Sequence, residues 1–133
     1  MRQIEFDGQS RPGPQEWFTG RVWMEPSPAK PPEAGAFRVF FEPDARTNWH
    51  THPEGQVLYV VTGRGRAGNE SGERVELSPG DVVTFAPHER HWHGAAPDSY
   101  MVHIAINPAT ESDGGTDWLE PVTDEEYGLR TGF

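Results

Sequence analysis

Four of the six histidines in this chain form two His-x-His pairs, His50-Thr51-His52 and His91-Trp92-His93, and Gln56 follows the first pair by four residues. On a strand, side chains two residues apart leave the same face. His50, His52 and Gln56 share parity, so one regular strand would carry all three on one side. The second pair could close the site from a neighbouring strand. Three imidazoles and one amide oxygen form an N/O donor set suited to a divalent transition metal. A lone histidine is more often a surface or satisfied core residue, and His-rich tracts can take up metal adventitiously. Both readings lose force here, because the pairs are embedded in strand-like sequence. His88 is the exception and reads as a loop residue.

These side chains need a scaffold, and 133 residues provide one domain, residues 1–133, with one core. The 15 glycines and 13 prolines are spread throughout, which suits many short strands and turns and not long helices. Strands are predicted at 20–24, 37–42, 56–62, 65–68, 74–77, 81–86 and 100–107. Val57 to Val61 is apolar throughout, as expected of a strand covered on both faces. Met101, His103 and Ala105 share one face of the last strand. Phe37, Val39 and Phe41 share parity and are candidate pocket residues, and Asn107 is a candidate polar contact. Trp49 and Trp92 have parity opposite to the histidines and should pack into an outer core.

The stretch Pro26-Ser27-Pro28-Ala29-Lys30-Pro31-Pro32 reads as an extended loop. Thr123-Asp124-Glu125-Glu126 has the form of a capping box and predicts a short C-terminal helix. The whole is an all-β pattern, a sandwich or barrel. An inward-facing metal site would then sit in a barrel mouth, where small-molecule pockets occur.

A net charge of −10 without a basic stripe argues against nucleic acid as a partner. Arg64 and Arg66 flank a turn glycine and read as solvated. No apolar run is long enough to cross a membrane. The first residues lack a signal peptide's apolar stretch, and cysteine is absent, so a cytoplasmic location is expected.

The spacing His50-x-His52-x3-Gln56-x6-Gly63 resembles the first cupin motif, with Gln where many cupins carry Glu. The spacing Gly80-x10-His91 resembles the second. The two motifs span about residues 44–63 and 80–95. The resemblance implies a cupin jelly-roll β-barrel with a metal near its centre. Asp44, Ala86, His88 and Ala95 depart from the Gly, Pro, Gly and Asn of the general pattern. Longer stretches, including Trp17-Phe18-Thr19-Gly20, Thr47-x-Trp49-His50-Thr51-His52-Pro53-x-Gly55-Gln56, His91-Trp92-His93-Gly94-Ala95-Ala96-Pro97 and Asp117-Trp118, resemble the small bacterial single-domain cupins that include manganese-dependent hydroxynitrile lyases. That resemblance implies metal ligands at His50, His52, Gln56 and His91, with His93 and His103 as further active-site histidines. It also implies manganese as the metal, with iron, nickel and zinc as alternatives, and a homo-oligomer, dimer or tetramer.

Gln56 in place of a carboxylate would leave the centre near +2, a stronger Lewis acid than its Glu counterpart. His103 is the candidate base if it faces the interior, since an imidazole near neutral pH suits proton transfer. His93 would share that role, orient substrate, or fix a ligand imidazole. The leading function is a metal-dependent lyase that breaks or forms a cyanohydrin-type C–C bond in a small-molecule substrate. A non-haem metal dioxygenase would differ by consuming oxygen, and a non-catalytic binding cupin would return its ligand unchanged. Metal affinities follow a general order across donor sets, so the metal taken up depends on supply.

Overall fold

Residues 56–61 alternate: Gln56, Leu58 and Val60 are buried, while Tyr59 and Val61 face outward. This is the pattern of a strand with one face on a core. The expectation that both faces are covered is corrected, because Tyr59 is 48% and Val61 44% exposed in the described chain.

The protein is described here by a computed structural model, covering residues 1, 3, 5, 9–26, 35–108 and 115–128. Its strands are β1 (Arg11–Pro12), β2 (Phe18–Thr19), β3 (Val22–Pro26), β4 (Gly35–Phe41), β5 (Arg46–Thr47), β6 (His50–Thr51) and β7 (Gln56–Gly63). They continue with β8 (Gly65–Asn69), β9 (Arg74–Leu77), β10 (Val82–Phe85), β11 (His91–Ala95), β12 (Met101–Asn107) and β13 (Asp117–Trp118), before a single helix, α1 (Asp124–Tyr127). The proline-rich loop expectation falls mainly on 27–32, outside the described residues.

Two antiparallel sheets share one core. The first runs β1-β3-β4-β12-β7-β10, and the second runs β13-β6-β11-β5-β2, with β8 joining β11 to β9. The core draws Val39, Phe41, Leu58, Val60 and Met101 from the first sheet and Phe18, Ala67, Leu77 and Ala95 from the second. In the register of β4 on β12, Phe41 faces Met101, Val39 faces His103 and Phe37 faces Ala105. Directly paired residues share a sheet face, so the inward parity of His103 carries Phe37, Val39 and Phe41 inward with it.

The second sheet has a further layer behind it. Trp49 and Trp92 point away from the imidazoles and pack with Val122 and Tyr127, as their parity requires. Thr123 caps α1 through a complete capping box with Glu126, and Gly128 (φ 85°) closes it in the left-handed region. Arg46 donates to the Val122 carbonyl and to Asp124, and Arg66 donates to the Tyr127 carbonyl. Both guanidinium groups lie over the Tyr127 ring. Arg66 is therefore a buried clamp, and the expectation of a solvated side chain is corrected; Arg64 pairs with Asp98 at the surface.

Candidate functional site

The strand that begins at His50 ends at Thr51. His52-Pro53-Glu54-Gly55 then forms a turn closed by the Gly55 N–H on the His52 carbonyl, with Pro at its second position. Gly55 has φ 82°, and a Cβ there would strike the Phe85 carbonyl, so only glycine serves. Gln56 emerges as the first residue of β7, in the other sheet. The expectation of a single strand carrying His50, His52 and Gln56 is thus corrected: the turn passes the chain from one sheet to the other, and Gln56 approaches His91 from the opposite sheet.

His50 and His91 face each other in register on β6 and β11, with ring centroids 4.2 Å apart. His52 lies 5.1 Å from His50 and 5.5 Å from His91, and His93 lies 5.2 Å from His50. All four rings are buried, as is His103. Among the described residues, His50, His91 and His93 offer ring nitrogens within 4.8 Å of one another.

Hydrogen bonds set which nitrogen of each ring is free. His50 Nδ1 lies 2.9 Å from the Asn48 carbonyl, and His91 Nδ1 lies 2.8 Å from the Glu89 carbonyl. A carbonyl only accepts, so both Nδ1 atoms are protonated and both Nε2 atoms carry lone pairs. His52 Nδ1 pairs with Thr116 Oγ1 at 3.1 Å, and its buried Nε2 has no partner. Gln56 Nε2 donates to Asn107 Oδ1 at 3.1 Å, which turns Gln56 Oε1 to within 3.4 Å of His91 Nε2. Two acceptors therefore face each other with no hydrogen between them. Burial pulls His91 down to about 4, so an imidazolium does not supply that hydrogen near neutral pH. A cation among these atoms resolves the contact, and the donor set fits a divalent metal on that ground.

His93 and His103 are held differently. His103 Nε2 and His93 Nδ1 lie 3.1 Å apart, one donating to the other. Their outer atoms, His93 Nε2 and His103 Nδ1, are buried without partners. Burial also pulls His52 and His103 down to about 4, and holds His50 and His93 well below the ordinary imidazole value. The near-neutral titration expected of His103 is corrected accordingly.

His50, His52, Gln56, His93 and His103 open on a cavity of about 410 Å³. Phe37, Val39, Phe41 and Asn107 line it. Phe37 faces inward beside Ala105, its partner in the β4–β12 register. Sequence reasoning assigned no role to Trp17, Phe18, Met24, Thr47, Thr116 and Trp118, which complete the wall. Trp17 stacks on Trp118 at 5.0 Å, and Trp118, paired with His50 on the edge strand, packs 4.7 Å from its ring. The signal available was the pair of Trp-containing stretches already singled out at 17–20 and 117–118. Phe85 stacks 3.7 Å from His91 on its other side. His88 is an exposed loop residue with φ 63°.

The Cupin domain family matches residues 37–107, over half of the chain. This chain belongs to the cupin family. The cupin is 52% identical over 118 residues to a protein named (R)-mandelonitrile lyase from Granulicella tundricola, covering 86% of this chain and 88% of that one. Its fold is similar to the crystal structure of a cupin-like protein from Thermotoga maritima, with TM-score 0.82, 38% identity and coverage of 99% and 98%. A more distant likeness, 30% identity over 81 residues, joins it to an acireductone dioxygenase from Bacillus pumilus, covering 58% of this cupin and 43% of that protein. The jelly-roll expectation and the likeness to hydroxynitrile-lyase cupins are both met. Among the described residues, no helix is long and apolar enough to cross a membrane.

Proposed function

We propose that this cupin is a metal-dependent hydroxynitrile lyase, cleaving an aryl cyanohydrin to aldehyde and hydrogen cyanide and running the reverse addition. The observation that carries the reading is that His50 and His52, each tied outward through Nδ1, converge with Gln56 on one apolar cavity, with the His91 ring nitrogen 3.4 Å behind the Gln56 oxygen. The name and 52% identity of the Granulicella relative support it.

His50, His52, Gln56 and His91 would hold a divalent metal, manganese first, with His93 facing the site from the substrate side. When bound, such an ion supplies Lewis-acid stabilisation of negative charge on the substrate oxygen. The chain's own residues do the rest. Phe37, Phe41, Trp17 and Trp118 seat the aryl group in a wall that excludes water. The His93–His103 pair takes the hydroxyl proton: accepted at His103 Nδ1, it frees Nε2–H for donation to His93 Nδ1. As the C–C bond breaks, its electron pair leaves on the cyanide carbon. The same pair then returns the proton to cyanide, so atoms and charge balance. A cavity of about 410 Å³ lies at the lower end of the roughly 300–1,000 Å³ common for drug-sized ligands, which suits a substrate of one ring.

Benzaldehyde release from racemic mandelonitrile at mildly acidic pH tests this, with metal-stripped protein, protein reloaded with Mn2+, and His91→Ala treated alike. Release that needs both Mn2+ and His91 is expected, with the R enantiomer consumed first. Oxygen uptake with no benzaldehyde would transfer the protein to the dioxygenase reading.

A further inference from the structure

We infer that Asn107 is a positioning residue for the metal centre, acting by fixing which end of the Gln56 carboxamide faces the histidines. The inference rests on the metal reading above and changes the role of Asn107 from the substrate contact expected from sequence. The two ends of a carboxamide have nearly the same shape, but only the oxygen can bind a cation, because the NH2 group is a donor. A half-turn about the last torsion of Gln56, which is soft in glutamine, would present that NH2 and remove a ligand. Asn107 Oδ1 accepts from Gln56 Nε2 at 3.1 Å and so holds the productive end inward.

The fold makes this contact specific. Gln56 opens β7 and Asn107 ends β12, next to the paired residues Val57 and Ile106, so the side-chain bond continues the ladder between the two strands. Both residues are buried, at 7% and 9% exposure, so water competes weakly for the Gln56 donor. Groups that orient a ligand from behind commonly change metal affinity by about 10–100-fold. A carboxylate at position 56 would need no such partner, since its two oxygens are equivalent.

That difference supplies the test. Mn2+ affinity is measured by chelator competition for the wild type, Asn107→Leu, Gln56→Glu and the double variant, with the Mn2+ electron paramagnetic resonance signal followed in each. Thermal unfolding of the metal-free forms checks folding, and Asn107→Ala replaces Asn107→Leu if the latter fails to fold. Asn107→Leu is expected to weaken binding about 10–100-fold in the wild-type background. In the Gln56→Glu background the same change is expected to cost under about threefold, a coupling that a double-mutant cycle isolates. Equal losses in both backgrounds, or no loss in either, would overturn the inference while leaving the metal site standing. A wild-type protein that takes up no Mn2+ would overturn the metal reading, and this inference with it.

Discussion

The five buried histidines fall into two groups that share a cavity and differ in what restrains them. His50, His52 and His91 each have Nδ1 tied to a group outside the ring cluster, two of them to backbone carbonyls. His93 and His103 have each other. A ring tied to a carbonyl has its proton fixed on one nitrogen and offers a lone pair at the other, which is what a metal ligand needs. A pair that shares one hydrogen bond can exist with the proton at either end, which is what proton transfer needs. On the proposed reading, the local restraint, more than the residue type, separates ligand from base.

The largest expected effect comes from breaking this division. Alanine at His50, His52 or His91 is expected to abolish bound Mn2+, and turnover with it. Alanine at His93 or His103 is expected to keep the metal while lowering turnover by about 10²–10⁴-fold, the usual range for loss of general acid–base catalysis. Metal content by elemental analysis, beside benzaldehyde release, reads both. Loss of metal from His93→Ala alongside retention in His52→Ala would move His93 into the ligand set, where its nitrogen already lies within 4.8 Å of those of His50 and His91.

Acid should separate the groups next. Burial holds His52, His91 and His103 at about 4, against about 6.5 in an unfolded chain. The folded metal-free protein therefore binds fewer protons than the unfolded chain between these values. Its stability is fully present above about pH 6.5 and is lost as pH falls towards 4, by several kcal/mol in all. Bound metal opposes protonation of the ligand trio but leaves the pair to titrate, so Mn2+ should shift the decline to lower pH without removing it. Urea midpoints from pH 7.5 to 4.5, with EDTA or with Mn2+, measure this. A flat metal-free profile would show that the imidazoles are not buried neutral.

Much of this was legible in the sequence where a strand is long enough to show its period. The period of seven-residue β12 grouped Met101, His103 and Ala105 on one face and that of β4 grouped Phe37, Val39 and Phe41, while which face looks inward came only from the sheet packing. The capping box at Thr123 is a local signal and was equally readable. The two-residue strands β1, β2, β5, β6 and β13 carry no period at all. Their positions come from long-range pairing, so Trp118 beside His50 and the crossing of Gln56 to the opposite sheet were invisible. Arg66 misled for a related reason. Its place beside a turn glycine argued for solvent, and only the docking of α1 supplies the Tyr127 carbonyl and ring that bury it.

The smallest effect sharpens the comparison from inside the proposed ligand trio. His50 and His91 are tied to backbone carbonyls that no substitution removes, but His52 is tied to a side chain, Thr116 Oγ1, on the segment leading into the edge strand β13. Thr116→Val keeps the shape and deletes the hydroxyl. If outward hydrogen bonds define ligands, this change should weaken Mn2+ binding by no more than about tenfold, the low end for a second partner of a ligating histidine. Folding should be nearly unaffected, because Thr116 lies at the cavity wall and not in the main core. The His93–His103 pair does not touch this bond, so turnover at saturating Mn2+ should change little. A drop in saturated turnover with unchanged metal affinity would instead tie Thr116 to substrate, and restraint from outside would no longer distinguish His52 from the catalytic pair.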